Sequence, residues 1–422
     1  MNRRRGMLPA FALLLVLTAA PEALAAGLPS APPESLGFSP ERLKRIDAAM
    51  QRWVDERKLA GVTIAIARDG KLAYLHSAGM ADIAENRPMD ENALIRVYSM
   101  TKPVTAVAVM ILVEEGRLRL TDKLADYLPE FGDMKVATAD GGTEPAKQPI
   151  RIFHLMTHTS GMTYALFNDS LAGRLYDQHD VMNAGRSTAE FTRLVASLPL
   201  AVQPGTTYQY GVSIDVLGRL VEVVSGRPFD RFVKERITDP LGMTDTSFAA
   251  KGKAGRLAEL YAPGPDGPVP LVNKVWNPDY VNGSPLKSDG GGLLSTVGDY
   301  LRFAQMLLNG GELDGVRILS PKTVQLMTAG QLSKENRGYM LTGLPGYDMG
   351  LTVAVLEDIG VSELPGSVGE FNWAGAASTH FFVDPREKLV AVLMTQLFPD
   401  KYALRGELKM LTYQALEKTH ED

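Results

Sequence analysis

Val97-Tyr98-Ser99-Met100-Thr101-Lys102-Pro103-Val104 is the stretch from which fold and chemistry are read together. Pro103 lacks an N–H, a loss that is harmless only in the first turn of a helix. A helix therefore begins near Ser99, and the apolar run that follows makes Val104–Glu115 a buried helix. Positions three apart share a helix face, so Lys102 lies beside the Ser99 hydroxyl. A hydroxyl is a weak nucleophile until a neighbouring base takes its proton. A lysine one turn in, set against Val104 to Leu112, is the candidate for that base. The helix N-terminus would face any oxyanion formed at Ser99. The spacing alone is not specific, because an N-cap serine followed by a surface lysine has the same letters. Ser284-Pro285-Leu286-Lys287 also fits it, but sits among Gly283, Pro285 and Gly290 with no helix after it.

Outward from this stretch, both ends of the chain read as helix plus antiparallel strands. Ser39-Pro40 is an N-cap followed by proline at the first helical position, and Leu43, Ile46, Met50, Trp53 and Val54 keep helical spacing. Val62, Ile64 and Ile66 alternate as a strand does, and Asp69-Gly70 before Leu72 and Tyr74 signals a hairpin. Phe381–Val383 and Leu389–Met394 flank a second hairpin, and Leu404, Leu408, Leu411 and Leu416 mark a last helix. Residues 103–290 read as mainly helical, including a helix through Ile214, Leu217, Leu220 and Val224, capped by Ser213 and ended by Gly226. The expected fold is α/β (α+β): an antiparallel sheet flanked by terminal helices, with a mainly helical insertion. The expected division is an α/β domain of 28–95 plus 291–422, and an inserted helical domain of 96–290. A cleft between two such lobes is a usual place for a site.

Composition narrows the function. The chain has 422 residues, 45% of them hydrophobic and 22% charged, which is ordinary for a globular protein. A net charge of −5 gives no reason to expect a nucleic-acid partner. The absence of cysteine excludes disulfides, a thiol nucleophile, thiolate metal sites and a lipidated cysteine. Arg3 to Arg5, the apolar run Met7 to Ala20 and Ala23-Leu24-Ala25 read as a signal peptide over 1–25. That run has 14 residues, short of the roughly 20 a membrane span needs. The expectation is a soluble, exported, periplasmic protein with no membrane attachment after cleavage.

Other arrangements fare worse. Gly211-Val212-Ser213-Ile214-Asp215 lacks the last glycine of a nucleophile elbow. His154 and His158 share a helix face, but the glutamate of H-E-x-x-H is missing, so both read as structural. Gly290-Gly291-Gly292 is a turn without the strand-to-helix context of a phosphate cradle. No metal and no cofactor is expected.

Val97 to Pro103 resembles the first motif of the serine β-lactamase-like hydrolases. Further segments follow in that group's order: His154-Leu155-Met156-Thr157-His158-Thr159-Ser160-Gly161, Pro204-Gly205, Tyr208-Gln209-Tyr210, Asp215-Val216-Leu217-Gly218, Pro240-Leu241-Gly242-Met243 and Gly290-Gly291-Gly292-Leu293. The resemblance spans about 40 to 415 and is nearest to family VIII carboxylesterases, relatives of class C β-lactamases and D-Ala-D-Ala carboxypeptidases. It implies the β-lactamase/transpeptidase-like fold and a second-motif tyrosine, matched best by Tyr210. The Y-x-N asparagine is replaced in Tyr210-Gly211-Val212, as in the esterase branch; Tyr280-Val281-Asn282 and Tyr208 are weaker matches. The third motif, K-T-G or H-T-G in lactamases, is matched in position by Trp373-Ala374-Gly375, whereas Lys322-Thr323-Val324 lacks the glycine.

The resemblance thus implies Ser99 as nucleophile, Tyr210 supported by Lys102 as the proton carrier, and the N–H groups of Ser99 and Ala376 as oxyanion donors. Gly375 would let the backbone approach closely. Tryptophan cannot pair with a carboxylate and offers a flat apolar wall instead. The implied substrate is a neutral small-molecule ester. The rivals are a β-lactamase or D-amino-acid peptidase with Lys287 or Arg174 replacing the missing cation, transfer of the acyl group to another alcohol, and a non-catalytic penicillin-binding-type sensor. Oligomeric state is left open.

Overall fold

The computed structural model describes residues 27–272, 277–337 and 344–420. The expected signal peptide over 1–25 lies outside the described residues.

The main sheet has eight strands: β1 (Gly61–Arg68), β2 (Lys71–Asp82), β3 (Arg87–Pro88), β4 (Tyr347–Met349), β5 (Ala354–Leu356), β6 (Phe371–Ala374), β7 (His380–Asp384) and β8 (Leu389–Thr395). Their order is β4-β5-β6-β7-β8-β1-β2-β3, antiparallel throughout. The two ends of the chain meet at its centre, where β1 pairs with β8 from Val62↔Thr395 to Arg68↔Leu389. Both hairpins form. The first turns at Asp69 and Gly70 with φ of 53° and 73°, the left-handed pair that matches strand twist.

Strand alternation assigns the two faces. Val62, Ile64, Ile66, Phe382 and Leu393 pack under α1 (Pro40–Asp55) and the C-terminal helix, with Ile46, Met50, Trp53 and Leu408 opposite them. Ser39 caps α1, its hydroxyl accepting from the Arg42 N–H. Ala65, Ala67, Phe381, Val392 and Met394 face the other way. There they meet a helix over Val297–Leu308, whose Tyr300 ring lies 5.1 Å from that of Phe381.

The helix after the serine, α2 (Thr101–Glu114), is buried along twelve residues from Thr101 to Leu112. It packs against α3 (Ser213–Ser225), and their apolar side chains join those of the sheet's second face in one continuous core. In chain order the Val297–Leu308 helix is α4 and the C-terminal helix Leu404–Tyr413 is α5. Ser213 departs from expectation. It is the first residue inside α3 rather than its cap, and its hydroxyl bonds that of Ser160 at 2.8 Å. Gly226 closes α3 at φ 72°. Two small hairpins interrupt the helical region, Lys135–Ala137 with Thr143–Pro145 and Tyr261–Gly264 with Gly267–Pro270.

Candidate active site

Ser99 sits in a short 3-10 turn, Tyr98–Met100, that runs straight into α2. Tyr98 before it has a φ of 44°, a costly left-handed conformation for a bulky residue. The strand before it is pinned by Ile95↔Ser295, Arg96↔Leu294 and the Val97 N–H to the Leu293 carbonyl. The turn is thus held from outside and presents the hydroxyl at the floor of a cavity.

Lys102 is fully buried, with its Nζ 3.1 Å from Ser99 Oγ. The Tyr210 hydroxyl donates to the same oxygen at 2.7 Å from the loop before α3. The lysine also donates to the Gly290 carbonyl at 2.7 Å and reaches the Tyr164 hydroxyl at 3.4 Å. Its ammonium position lies over the Tyr210 ring, 4.9 Å from the centroid. Sequence separations of 111 and 188 residues are therefore closed around the Ser99–Lys102 pair.

Trp373, Gly375 and Ala376 approach from the sheet side, at the end of β6. Trp373 is 8% exposed and is one of the residues that line the cavity. A Cβ on Gly375 would come within 2.3 Å of the Val97 carbonyl oxygen, so only glycine lets this backbone lie against the nucleophile turn. The Ala376 N–H faces no acceptor among the described residues. Behind Tyr210, the His158 ring lies 4.8 Å from it and stacks on Trp373 at 6.5 Å. Burial, with the Lys102 charge second, pushes the His158 pKa well below its usual value, so the ring is neutral packing. His154 accepts the Arg151 N–H and helps start the helix Ile152–Met156.

Several groups escaped the sequence reading. Tyr164 lies between Lys102 and Asp215. The Asp215 carboxyl accepts from Ser288 Oγ at 2.9 Å and from the Gly290 N–H at 3.1 Å. Burial raises the pKa of Asp215 and, more strongly, of Asp289, whose carboxyl oxygens have no partner among the described residues. The available signal was glycine. A Cβ on Gly290 would stand 2.6 Å from Asp215 Oδ2, and one on Gly218 only 1.8 Å from Asp289 Oδ2.

The cavity measures about 480 Å³ and is walled largely by aromatic and aliphatic side chains, among them Tyr208, Phe248, Tyr280, Leu286 and Phe398. Two cations line it, each beside a carboxylate: Lys287 at 3.8 Å from Asp230 and Arg405 at 3.3 Å from Asp400. Arg174 is exposed and donates to the Asp169 carbonyl, outside the cavity wall. No group of three or more metal-ligating side chains occurs among the described residues.

Residues 46–414 match the Beta-lactamase family model, and the chain belongs to that family. It is a serine hydrolase by class. Protein Rv1367c of Mycobacterium tuberculosis (strain ATCC 25618 / H37Rv) is 36% identical over 366 residues, covering 84% of this chain and 90% of its own. Esterase EstB of Burkholderia gladioli is 33% identical over 371 residues, 83% of this chain and 89% of its own. Among solved structures, EstCE1, described as a hydrolase with promiscuous acyltransferase activity, matches with a TM-score of 0.76 at 27% identity. That match covers 90% of this chain and 99% of the other.

Proposed function

We propose that this chain is an exported carboxylesterase that works through an acyl-enzyme on Ser99. The observation that carries the reading is the Ser99 hydroxyl held between Lys102 and Tyr210 on the floor of an apolar cavity. Ser99 attacks the ester carbonyl as its proton passes to the Tyr210–Lys102 pair. The N–H groups of Ser99 and Ala376 hold the oxyanion. The pair returns the proton to the leaving alcohol, then takes one from water as water releases the acid and restores Ser99. The names of EstB and EstCE1 support ester chemistry. The tryptophan wall and the pairing of both cavity cations with carboxylates favour a neutral substrate over an anionic lactam or peptide terminus.

Mixing the mature protein with p-nitrophenyl butyrate and following intact mass tests this. A transient butyryl adduct with steady nitrophenol release is expected, absent in Ser99→Ala. Lys102→Ala and Tyr210→Phe should each lose about 10²–10⁴-fold in kcat/KM. Full activity of Lys102→Ala at neutral pH, or faster turnover of nitrocefin than of the ester, would sink the reading. Export is tested by N-terminal sequencing of protein from the periplasmic fraction; retention of Met1 to Ala25 would oppose it.

A further inference from the structure

The nitrogen of Lys102 offers three positions besides its bond to carbon. In the amine form these are two N–H bonds and a lone pair; in the ammonium form they are three N–H bonds. One N–H is committed to the Gly290 carbonyl, which can only accept. The Tyr164 hydroxyl, 3.4 Å away, could either accept from the lysine or donate to it. The carboxylate beside it decides. Tyr164 stands 3.4 Å from Asp215 Oδ2, while Asp215 Oδ1 already accepts from Ser288 Oγ and the Gly290 N–H. A carboxylate oxygen can only accept, so the Tyr164 proton points to Asp215 and its oxygen is left to accept from Lys102. With two positions of the lysine nitrogen so occupied, the third faces Ser99 Oγ at 3.1 Å.

We propose that Asp215 and Tyr164 are positioning residues that orient the Lys102 amine toward Ser99. Asp215 acts twice: through the Tyr164 hydroxyl, and by holding the Gly290 N–H so that the adjoining carbonyl meets the lysine. Lys102 then gives or takes a proton only along its line to Ser99. Asp215 lies outside the cavity wall; Tyr164 stands at that wall, and its part here is the hydrogen bond to the lysine. Asp215 is 1% exposed, and its place against Gly290 leaves no room for a Cβ there. A buried carboxylate so costly to keep is accounted for by this task.

Asp215→Asn is the discriminating change. The amide oxygen can still accept from Ser288 and Gly290, but the amide NH₂ donates to Tyr164 and reverses its hydroxyl, which then points its proton at the lysine. The proposal rests on Ser99 being the nucleophile. With p-nitrophenyl butyrate, Asp215→Asn and Tyr164→Phe should each lower kcat about 10- to 100-fold with KM within about twofold. The double variant should be no slower than the slower single one, because Asp215 then has no hydroxyl to act through. Retained kcat in Asp215→Asn, a loss confined to KM, or losses that multiply in the double variant would each overturn it. If Asp215→Asn does not fold, Tyr164→Phe alone decides, and unchanged kcat overturns the proposal. A wild type that never forms the butyryl adduct fails the esterase reading itself. An active wild type with an indifferent Asp215→Asn fails only this inference.

Discussion

Asp289 is the least comfortable side chain near the site. Its carboxyl is 1% exposed, lies against Gly218, and has no hydrogen-bond partner among the described residues. Burial, followed by the Asp215 charge, pushes its pKa well above the ordinary carboxylate value. The folded chain therefore keeps this proton at a pH where the unfolded chain, with a pKa near about 4, has lost it. In that window the native state binds more protons than the unfolded state, so stability falls as pH rises. Asp289→Asn has nearly the same shape and no charge to lose. It should unfold at a higher temperature than wild type near neutral pH, with the gap closing toward about pH 4. Thermal scans across that range check it, and equal midpoints at neutral pH would show that the carboxyl is not held neutral. Nothing at position 289 announces this burial in the sequence. The pairing of a small residue at Gly218 with an acid 71 positions later becomes legible only when α3 is laid against the loop.

Among the elements, α5 is fixed to the sheet by charge as well as by Leu404 and Leu408. Lys409 Nζ meets Glu370 Oε1 at 2.9 Å and the Tyr347 hydroxyl at 2.7 Å, with both charged side chains almost wholly buried. Tyr413 bridges Glu370 and Asp384 at 2.9 and 2.7 Å. Removing one partner strands the other charge without water, which costs far more than the pair itself contributes. Lys409→Ala should destabilise the fold by about 3–5 kcal/mol, while kcat of the remaining folded enzyme stays near wild type because Lys409 and Glu370 lie outside the cavity wall. Denaturant midpoints beside kcat test this, and a shift below about 1 kcal/mol would mean that Glu370 finds water or a proton instead. The helix itself was legible from leucine spacing. Lys409 would pass on that pattern for a solvent-facing residue, and only Glu370, the residue just before β6, explains its burial. The α4 helix went unnoticed because it is buried nearly all round and its place between hairpins is set by the sheet's second face.

At the scale of the molecule, the cavity stands where sheet and helical region meet. Trp373 to Ala376 come from the sheet, Tyr164 and Tyr210 from the helical region, and Ser99 from the turn between them. The apolar core runs unbroken from α4 through α2 to α3. The two expected domains share this core, so neither should lose structure alone. In denaturant, ester turnover and far-UV signal should fall together in one transition; a plateau with helix retained and activity gone would oppose that view. What the sequence by itself determined is local. Serine and lysine share a face because they are three residues apart on one helix, and the hairpins follow from alternation and an Asp-Gly turn. Alternation also decides which residues of β1 face together, though not which helix covers them. The convergence of Tyr210, Asp215 and Gly290 on Lys102 belongs to the tertiary structure alone. Residues 100 or more positions apart have no shared periodicity to betray them; only packing brings them within a hydrogen bond, and the same packing strips away the water that would otherwise blunt their charges.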